Sequence, residues 1–562
     1  MKKTGGKAVA EALRDEGVDH VFGLIGSAGM ELFDALYDEP SIRFIGVRDE
    51  RTGTHMADGF ARASGRAGVV IAGQNGPGAT NLVTGLAQAN AAYSPVVALA
   101  GSLSSAHVYR DAFQEVDQQA LFKPVTKKTW TVPQAKRLPE FVNEAFRTAM
   151  APRQGSVALN LPRDLLAESA DFDRPPPRAT IEVSGMCVPT GARIDAVASL
   201  LRSARRPVIL AGGGVKTGRC HAQVTRLAEL LCAPIATSPG HGDAVPCDHP
   251  LYAGQIGPRG NAVATRLMRE ADVIIALGTR LGFNSTFYTY DYLSPAASIV
   301  QVEVESTAIG RFFPVKHGIV ADAGDFADAL HAALGNHNSE AVSHWTSTFQ
   351  KERAAFVADR DLKSMTCSDL IQPGRLFRAL REVAPPEAMY TLDAGTLCLQ
   401  ATDALNYRQS PALFSPLDFG LVGFSYACGL GAQLACPDRK VISLMGDGGF
   451  GMTCSELGTA VANNIASVCI VMNNGCWGAE KAYQRDFFDG RYLGADVPNP
   501  PYDKLAELWG AKGFKVDRAD QLERILDEAL SCESHAIVDV AIDPNALYSF
   551  RRDAFKHRSA AT

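Results

Sequence analysis

Two short polar motifs, each ending a strongly apolar run, leave this chain few folds to choose from. The run KVISLM stops at Gly446-Asp447-Gly448, and the run SVCIVM stops at Asn473-Asn474-Gly475-Cys476-Trp477. Between them, GFGMTCSELGTAVANNIA carries small and apolar residues at roughly helical spacing. Asn474 follows Asp447 by 27 residues, a separation that one helical crossover spans. A strand–helix–strand unit of this kind is right-handed and sets both loops side by side at the carboxyl edge of a parallel sheet, where such sheets bind ligands. The side chains of Asp447 and Asn474, with the backbone carbonyl of Cys476, then make a set of hard oxygen ligands. That set suits an octahedral Mg²⁺ whose other positions are filled by water and diphosphate oxygens.

The rest of the chain has room for more than this unit. At 562 residues it exceeds a single core, and three domains are expected. Strand-like apolar runs alternate with amphipathic helical stretches almost throughout, which reads as α/β with parallel sheets. A proline- and glycine-rich stretch at 171–191 reads as a linker, and 335–374 is polar, partly helical and without a strand run. These divide the chain into blocks 1–170, 190–335 and 370–562. The outer two share a theme, a strand leading through a glycine turn into a helix of small residues: IAGQNGPGATNLVTGLAQA and SLMGDGGFGMTCSELGTAV. A net charge of −6 gives no reason to expect nucleic acid or an anionic membrane as partner. The first residues, MKKTGGKAVAEALRDEG, do not read as a signal peptide, and no apolar stretch reaches the ~20 residues of a membrane span. The 12 cysteines begin only at Cys187 and never form CxxC, so reduced thiols in a cytoplasmic protein are expected.

In the first block, IRFIGVRDERTGTHMADGFARASGRAGVVIAGQNGPGATN delivers Glu50 from a strand onto the start of a helix rich in Ala, Gly and Met. This string, together with GDG…NN, resembles the thiamine diphosphate (ThDP) enzymes of the acetolactate-synthase-like family, and the resemblance covers nearly the whole chain. It implies three Rossmann-like domains: pyrimidine-binding, central and diphosphate-binding. It makes Glu50 the glutamate that hydrogen-bonds N1′ of the aminopyrimidine, so that the 4′-amino group can take the thiazolium C2 proton. Gly26 and Ser27 match the loop facing the thiazolium, and Phe113 and Gln114 match a pair that contacts substrate. Gly395 matches the turn near diphosphate and pyrimidine, and Val422 the apolar fulcrum under the bent cofactor. Gly446, Asp447, Gly448, Gly449, Asn474, Cys476, Trp477 and Gly478 match the diphosphate and metal loops. In this family the two halves of each site come from different subunits, so a homodimer or homotetramer is implied. Some relatives bind FAD or ADP in the central domain; its glycine turns here give no GxGxxG, and a structural domain is expected.

The residues after Asn474 depart from the acetolactate synthases, where Met, Val and Trp wall an apolar pocket. Here Ala479, Glu480 and Tyr483 stand at those positions, with Lys481 and Arg485 beside them. The segment NNGCWGAEK and the tail FRRDAFK resemble instead the sulfoacetaldehyde acetyltransferases, although Cys476 replaces a glutamine. In those enzymes sulfite leaves a C2 sulfonate aldehyde and the acetyl group passes to phosphate. Two anions call for cationic groups, and His107, Arg110, Lys123, Lys481, Arg551 and Arg552 are the candidates. The expected activity is therefore ThDP- and Mg²⁺-dependent acyl transfer or C–C lyase chemistry on a small aldehyde or 2-keto acid. Sulfoacetaldehyde with phosphate is the first guess, and decarboxylating carboligation of pyruvate or another 2-keto acid the alternative.

Overall fold

The computed structural model describes residues 2–172, 189–336, 340–365 and 370–558; most of the proline-rich stretch read as a linker lies outside them. Three six-stranded sheets organise the chain, and every pairing within them is parallel. In the first sheet the strands are β1 (His20–Leu24), β2 (Arg43–Gly46), β3 (Gly68–Ala72), β4 (Val96–Ser102), β5 (Lys128–Thr131) and β6 (Val157–Pro162), in the order β2-β1-β3-β4-β6-β5. The central sheet holds β7 (Pro207–Ala211), β8 (Ile235–Thr237), β9 (Tyr252–Gln255), β10 (Val273–Leu277), β11 (Ser298–Glu303) and β12 (His317–Val320). Their order is β9-β8-β7-β10-β11-β12, the arrangement of dinucleotide-binding folds. The third sheet holds β13 (Met389–Leu392), β14 (Leu413–Phe414), β15 (Val441–Gly446), β16 (Val468–Asn473), β17 (Lys512–Val516) and β18 (Ala536–Ala541), in the order β14-β13-β15-β16-β18-β17. This repeats the permutation of the first sheet, so the theme shared by the two outer blocks is a shared topology. Strands such as β10 and β16 are buried on both faces, which is why they read as unbroken apolar runs.

The crossover between β15 and β16 differs from the single helix that its spacing suggests. It is broken into Asp447–Gly451, a 3₁₀ turn at Cys454–Glu456, and Leu457–Ala462. Three glycines in the first piece weaken a continuous helix. The fully buried Glu456 carboxylate also holds the backbone of the first domain, accepting from Arg48 N at 3.0 Å and from Thr52 Oγ1.

Helix α1 (Glu50–Ser64) joins the first domain to the third by packing on α2 (Ser425–Ala435). Asp49 caps α1 by accepting from Arg51 N at 2.7 Å, and Gly65 ends it in a left-handed turn. The two helices approach so closely that a Cβ on Gly59 would lie 2.0 Å from the Cys428 carbonyl oxygen, and one on Gly431 1.9 Å from that of Met56. Around this crossing, Phe60, Val70 and Leu82 of the first domain share one core with Tyr426, Phe450 and Val471 of the third. Gly431→Ala is therefore expected to cost about 3 kcal/mol or more, because backbone must move, and a shift of the denaturant midpoint at unchanged slope will measure it.

The central domain meets the third at Asp243, whose Oδ2 pairs within its own domain with Lys216 Nζ at 2.8 Å, while Lys216 also donates to the Leu413 carbonyl. The same carboxylate oxygen accepts from Ala412 N and Leu413 N at 2.7 and 2.9 Å, tying it to β14. The polar segment after residue 335 contributes one long helix, Glu340–Ser364, whose Trp345 and Phe349 pack under the central sheet. No helix among the described residues is long and apolar enough to cross a membrane.

Candidate active site

The carboxyl edges of the third and central sheets face each other across a cavity of about 930 Å³. Its floor is the pair of loops with which the sequence reading began. Gly446-Asp447-Gly448 leaves β15, Asn474 and Cys476 leave the adjacent β16, and all five residues line the cavity. An antiparallel bridge between Cys476 and Asp496 fixes the second loop, with Trp477 N donating to Ala495 O at 2.7 Å and Val497 N to Gly475 O at 2.8 Å.

Three oxygens converge in these loops. The Asn474 side-chain oxygen faces the Cys476 carbonyl at 3.1 Å and Asp447 Oδ1 at 3.2 Å. Turned over, the amide nitrogen would bridge the same two atoms. We assign the oxygen inward, because three oxygens edge to edge at about 3 Å match one face of an octahedral Mg²⁺ shell with ligands at about 2.1 Å. Burial pushes the Asp447 carboxyl above its ordinary range, opposed by a hydrogen bond from Asn499 Nδ2 at 2.6 Å. A bound cation would hold that carboxylate charged. Tyr502 Oη donates to the Asp447 carbonyl at 2.9 Å and lies 2.8 Å from Asn499 Oδ1, so these two residues position Asp447.

Glycines in the cavity wall divide into two kinds. A Cβ on Gly448 would strike the Trp477 indole at 2.7 Å, and one on Gly449 would lie 2.3 Å from Asp393 Oδ2, so protein packing alone accounts for both. Gly395 and Gly446 line the same cavity, yet an added Cβ at either would have no protein atom within 4 Å. Both have negative φ, so backbone conformation does not require glycine there. What they leave open is space at the carboxyl ends of β13 and β15 that could admit a diphosphate. Gly446→Ala is accordingly expected to keep the parent's thermal midpoint while weakening ThDP binding roughly tenfold, read by calorimetric titration.

Val422 lines the cavity, and the loop that carries it is set by Asp393. The buried Asp393 carboxylate accepts from Gly423 N and Phe424 N, both at 3.0 Å; burial raises it to about 6 while these amides pull it back. Asp393, Asn499 and Tyr502 were not singled out in the sequence. Asp393 had a signal, as an acid at a strand end two residues before Gly395. Asn499 and Tyr502 had none, because their partner is far away in the chain.

The first-domain residues form a second group, apart from this cavity. Glu50 is buried at the start of α1 and accepts from Asn81 Nδ2 at 3.0 Å, with Gly78 beside it. Gln74 Oε1 accepts from Ser27 N and Oγ at 2.9 and 3.1 Å, and its amide nitrogen donates to Gln114 Oε1. Gln114 holds a positive φ of 63°, and its carbonyl oxygen accepts from Asn75 Nδ2 at 3.0 Å. None of Glu50, Ser27, Phe113 or Gln114 lines the cavity of its own chain. The loops that carry them expose large apolar side chains: Ile25 is 61% accessible, Phe113 84% and Tyr109 94%.

The cationic candidates separate as well. Arg551 lines the cavity, whereas Lys481 turns away to Asp496 at 2.6 Å. His107, Arg110 and Lys123 are exposed on the first domain, and the side chain of Arg552 lies outside the described set. Glu480 and Tyr483, on α3 (Gly478–Phe487), reach the cavity. The central-domain turns at Gly214 and Gly278 pack on one another, since a Cβ on Gly214 would lie 2.6 Å from the Gly278 Cα. That contact gives these glycines a structural reason.

Two sheets of one topology, one ending in open glycine turns beside three converging oxygens and the other carrying a buried glutamate at a helix start, have the layout of a thiamine-diphosphate enzyme. Residues 3–121 match the N-terminal TPP binding domain of thiamine pyrophosphate enzymes, 194–330 their central domain and 393–540 their C-terminal TPP binding domain. Similar proteins include the sulfoacetaldehyde acetyltransferase of Alcaligenes xylosoxydans xylosoxydans, 34% identical over 98% of this chain and 95% of its own length. That of Castellaniella defragrans is 32% identical over 99% and 96%. A probable acetolactate synthase large subunit of Methanococcus aeolicus is 32% identical over 97% and 93%. The chain belongs to the thiamine pyrophosphate enzymes.

Proposed function

We propose that this enzyme, with Mg²⁺ and ThDP, converts sulfoacetaldehyde and phosphate to acetyl phosphate and sulfite. The observation that carries this reading is the wall beside the cation loop, where Glu480, Tyr483 and Arg551 line the cavity in place of an apolar pocket. Relatives named for this activity at 34% and 32% identity support it. The atoms balance without an outside oxidant. The aldehyde carbon is oxidised to the acyl level, the neighbouring carbon is reduced to methyl as its bond to sulfur breaks, and hydrogen phosphate takes the acyl group.

Asp447, Asn474 and the Cys476 carbonyl would hold Mg²⁺, Gly395 and Gly446 would admit the diphosphate, and Val422 would support the bend of the cofactor. ThDP supplies a carbon nucleophile able to carry an acyl carbanion equivalent. Glu50, held by Asn81, would keep a proton at N1′ of the aminopyrimidine. Because Glu50 does not reach the cavity of its own chain, the site is completed by a second copy. The exposed Ile25, Tyr109 and Phe113 fit an interface of that kind.

The test incubates the protein with ThDP, Mg²⁺, phosphate and sulfoacetaldehyde, and assays sulfite and acetyl phosphate. Failure to form either, with pyruvate consumed instead, would favour the second reading, acetolactate-type carboligation. The identity to the Methanococcus aeolicus protein keeps that reading in view.

A further inference from the structure

The guanidinium groups lining the cavity are matched to acceptors, with one exception. Arg62 pairs with Asp58, Arg153 with Glu305, Arg280 with Asp418 and Arg551 with Asp553, at 2.6, 2.8, 3.3 and 3.0 Å, and Arg219 donates to the Ala63 carbonyl at 3.3 Å. Arg259, in the loop after β9, makes no hydrogen bond or ion pair with any described residue. Its guanidinium carbon instead lies 3.8 Å from the centroid of the Phe550 ring, in the C-terminal tail. Tyr483 stands beside it on α3, the helix that begins directly beyond the cation loop; its buried hydroxyl has the backbone N–H of Arg551 close by and donates to no described residue. Phe550 and Arg551 close the same wall. Burial lowers Arg259 to about 10, and the neighbouring charge of Arg551 adds to the effect.

A partly buried charge without a counter-charge is costly, and a neighbouring hydroxyl whose proton has no acceptor adds to that cost. Both are relieved by one kind of guest, a tetrahedral oxyanion that takes the planar fork of Arg259 and a hydrogen bond from Tyr483. We propose that Arg259, flanked by Arg551 and Tyr483, is the anion-recognition group of the substrate cavity. It would receive either the sulfonate of the acyl donor or the phosphate that accepts the acyl group. This inference rests on the proposed acyl transfer and adds to it a central-domain residue that determines specificity.

The experiment compares the holoenzyme with Arg259→Gln and Arg259→Lys. KM is measured separately for sulfoacetaldehyde and for phosphate, and calorimetry follows binding of 2-hydroxyethanesulfonate and of inorganic phosphate. In Arg259→Gln one KM is expected to rise roughly 10- to 100-fold with a smaller change in kcat, the matching anion to bind correspondingly weaker, and Arg259→Lys to recover part of the loss. Weaker binding of the sulfonate alone assigns the site to the donor, of phosphate alone to the acceptor, and of both to an anion site used in turn. If Arg259→Gln does not fold, Arg259→Lys decides, since a point charge loses the two-pronged contact. Both constants within twofold of the parent, with ThDP affinity unchanged, would overturn the assignment. A parent enzyme that forms no acetyl phosphate would overturn the proposed reaction instead, leaving calorimetry to judge the anion site alone.

Discussion

Asp447→Ala is expected to abolish turnover and to weaken Mg²⁺-dependent ThDP binding by at least about 100-fold. The substitution removes a charged oxygen from the three-oxygen face at the cavity floor, and loss of even an outer-shell partner commonly costs 10- to 100-fold in metal affinity. The apo fold should not suffer. Asp447 is a buried carboxylate whose ionisation burial opposes, and among the described residues Asn499 is the only side chain that donates a hydrogen bond to it. Thermal scans separate the two effects. Ligand at 100 times its Kd stabilises a protein by about 2.7 kcal/mol, so the parent should gain a clear shift in midpoint with Mg²⁺ and ThDP. The variant should start near the parent's apo midpoint and gain nothing. Trp477, whose indole packs over Gly448, offers a second readout through its fluorescence. A variant that keeps the full ligand-induced shift would remove Asp447 from the cation site.

Glu50→Gln is expected to bind ThDP within about tenfold of the parent while losing roughly 10²- to 10⁴-fold in kcat, the usual share of a positioned proton-transfer group. The side chain is isosteric, and its oxygen can still accept from Asn81, so the start of α1 should be undisturbed. Full turnover in this variant would overturn the role proposed for Glu50. The two inactive variants also test the assembly together. If each site joins Glu50 of one copy to Asp447 of another, a mixed dimer of Glu50→Gln and Asp447→Ala chains holds one intact site. Co-expression in equal amounts should then restore about a quarter of parental activity, since half the dimers are mixed and half their sites work. No recovery in mixed dimers would mean that both residues act within one chain.

Much of this protein was legible from its sequence because the residues read as its cofactor site lie at strand ends. Asp447, Asn474 and Cys476 sit on loops leaving adjacent parallel strands, and a crossover of fixed hand dictates that such loops meet. The parallel sheets could be read for a related reason, since strands buried on both faces need uninterrupted apolar runs. The small-residue character of ADGFARAS and YACGLGAQLA was visible too, but its purpose was not. Only the packed structure shows Gly59 and Gly431 at the crossing of α1 and α2, where no Cβ fits.

Tertiary structure alone decided the support and the reach of each group. Asn499 and Tyr502 act on Asp447 from more than 50 residues away, and Asp393 holds the Val422 loop from 30 residues away; no local pattern encodes such distances. Lys481 and Arg551 looked equivalent as cations, yet one is turned to Asp496 and the other faces the cavity, because side-chain direction follows packing rather than residue type. Arg259 attracted no attention in the sequence, where an arginine in a Gly-Pro-Arg-Gly turn suggests surface. Its significance lies in what surrounds it, a buried tyrosine hydroxyl, a phenylalanine ring and a second arginine brought in from two other parts of the chain. The sequence determined the cofactor class through motifs bound to strand ends, while the fold decided which charges meet in the cavity and which are already satisfied elsewhere.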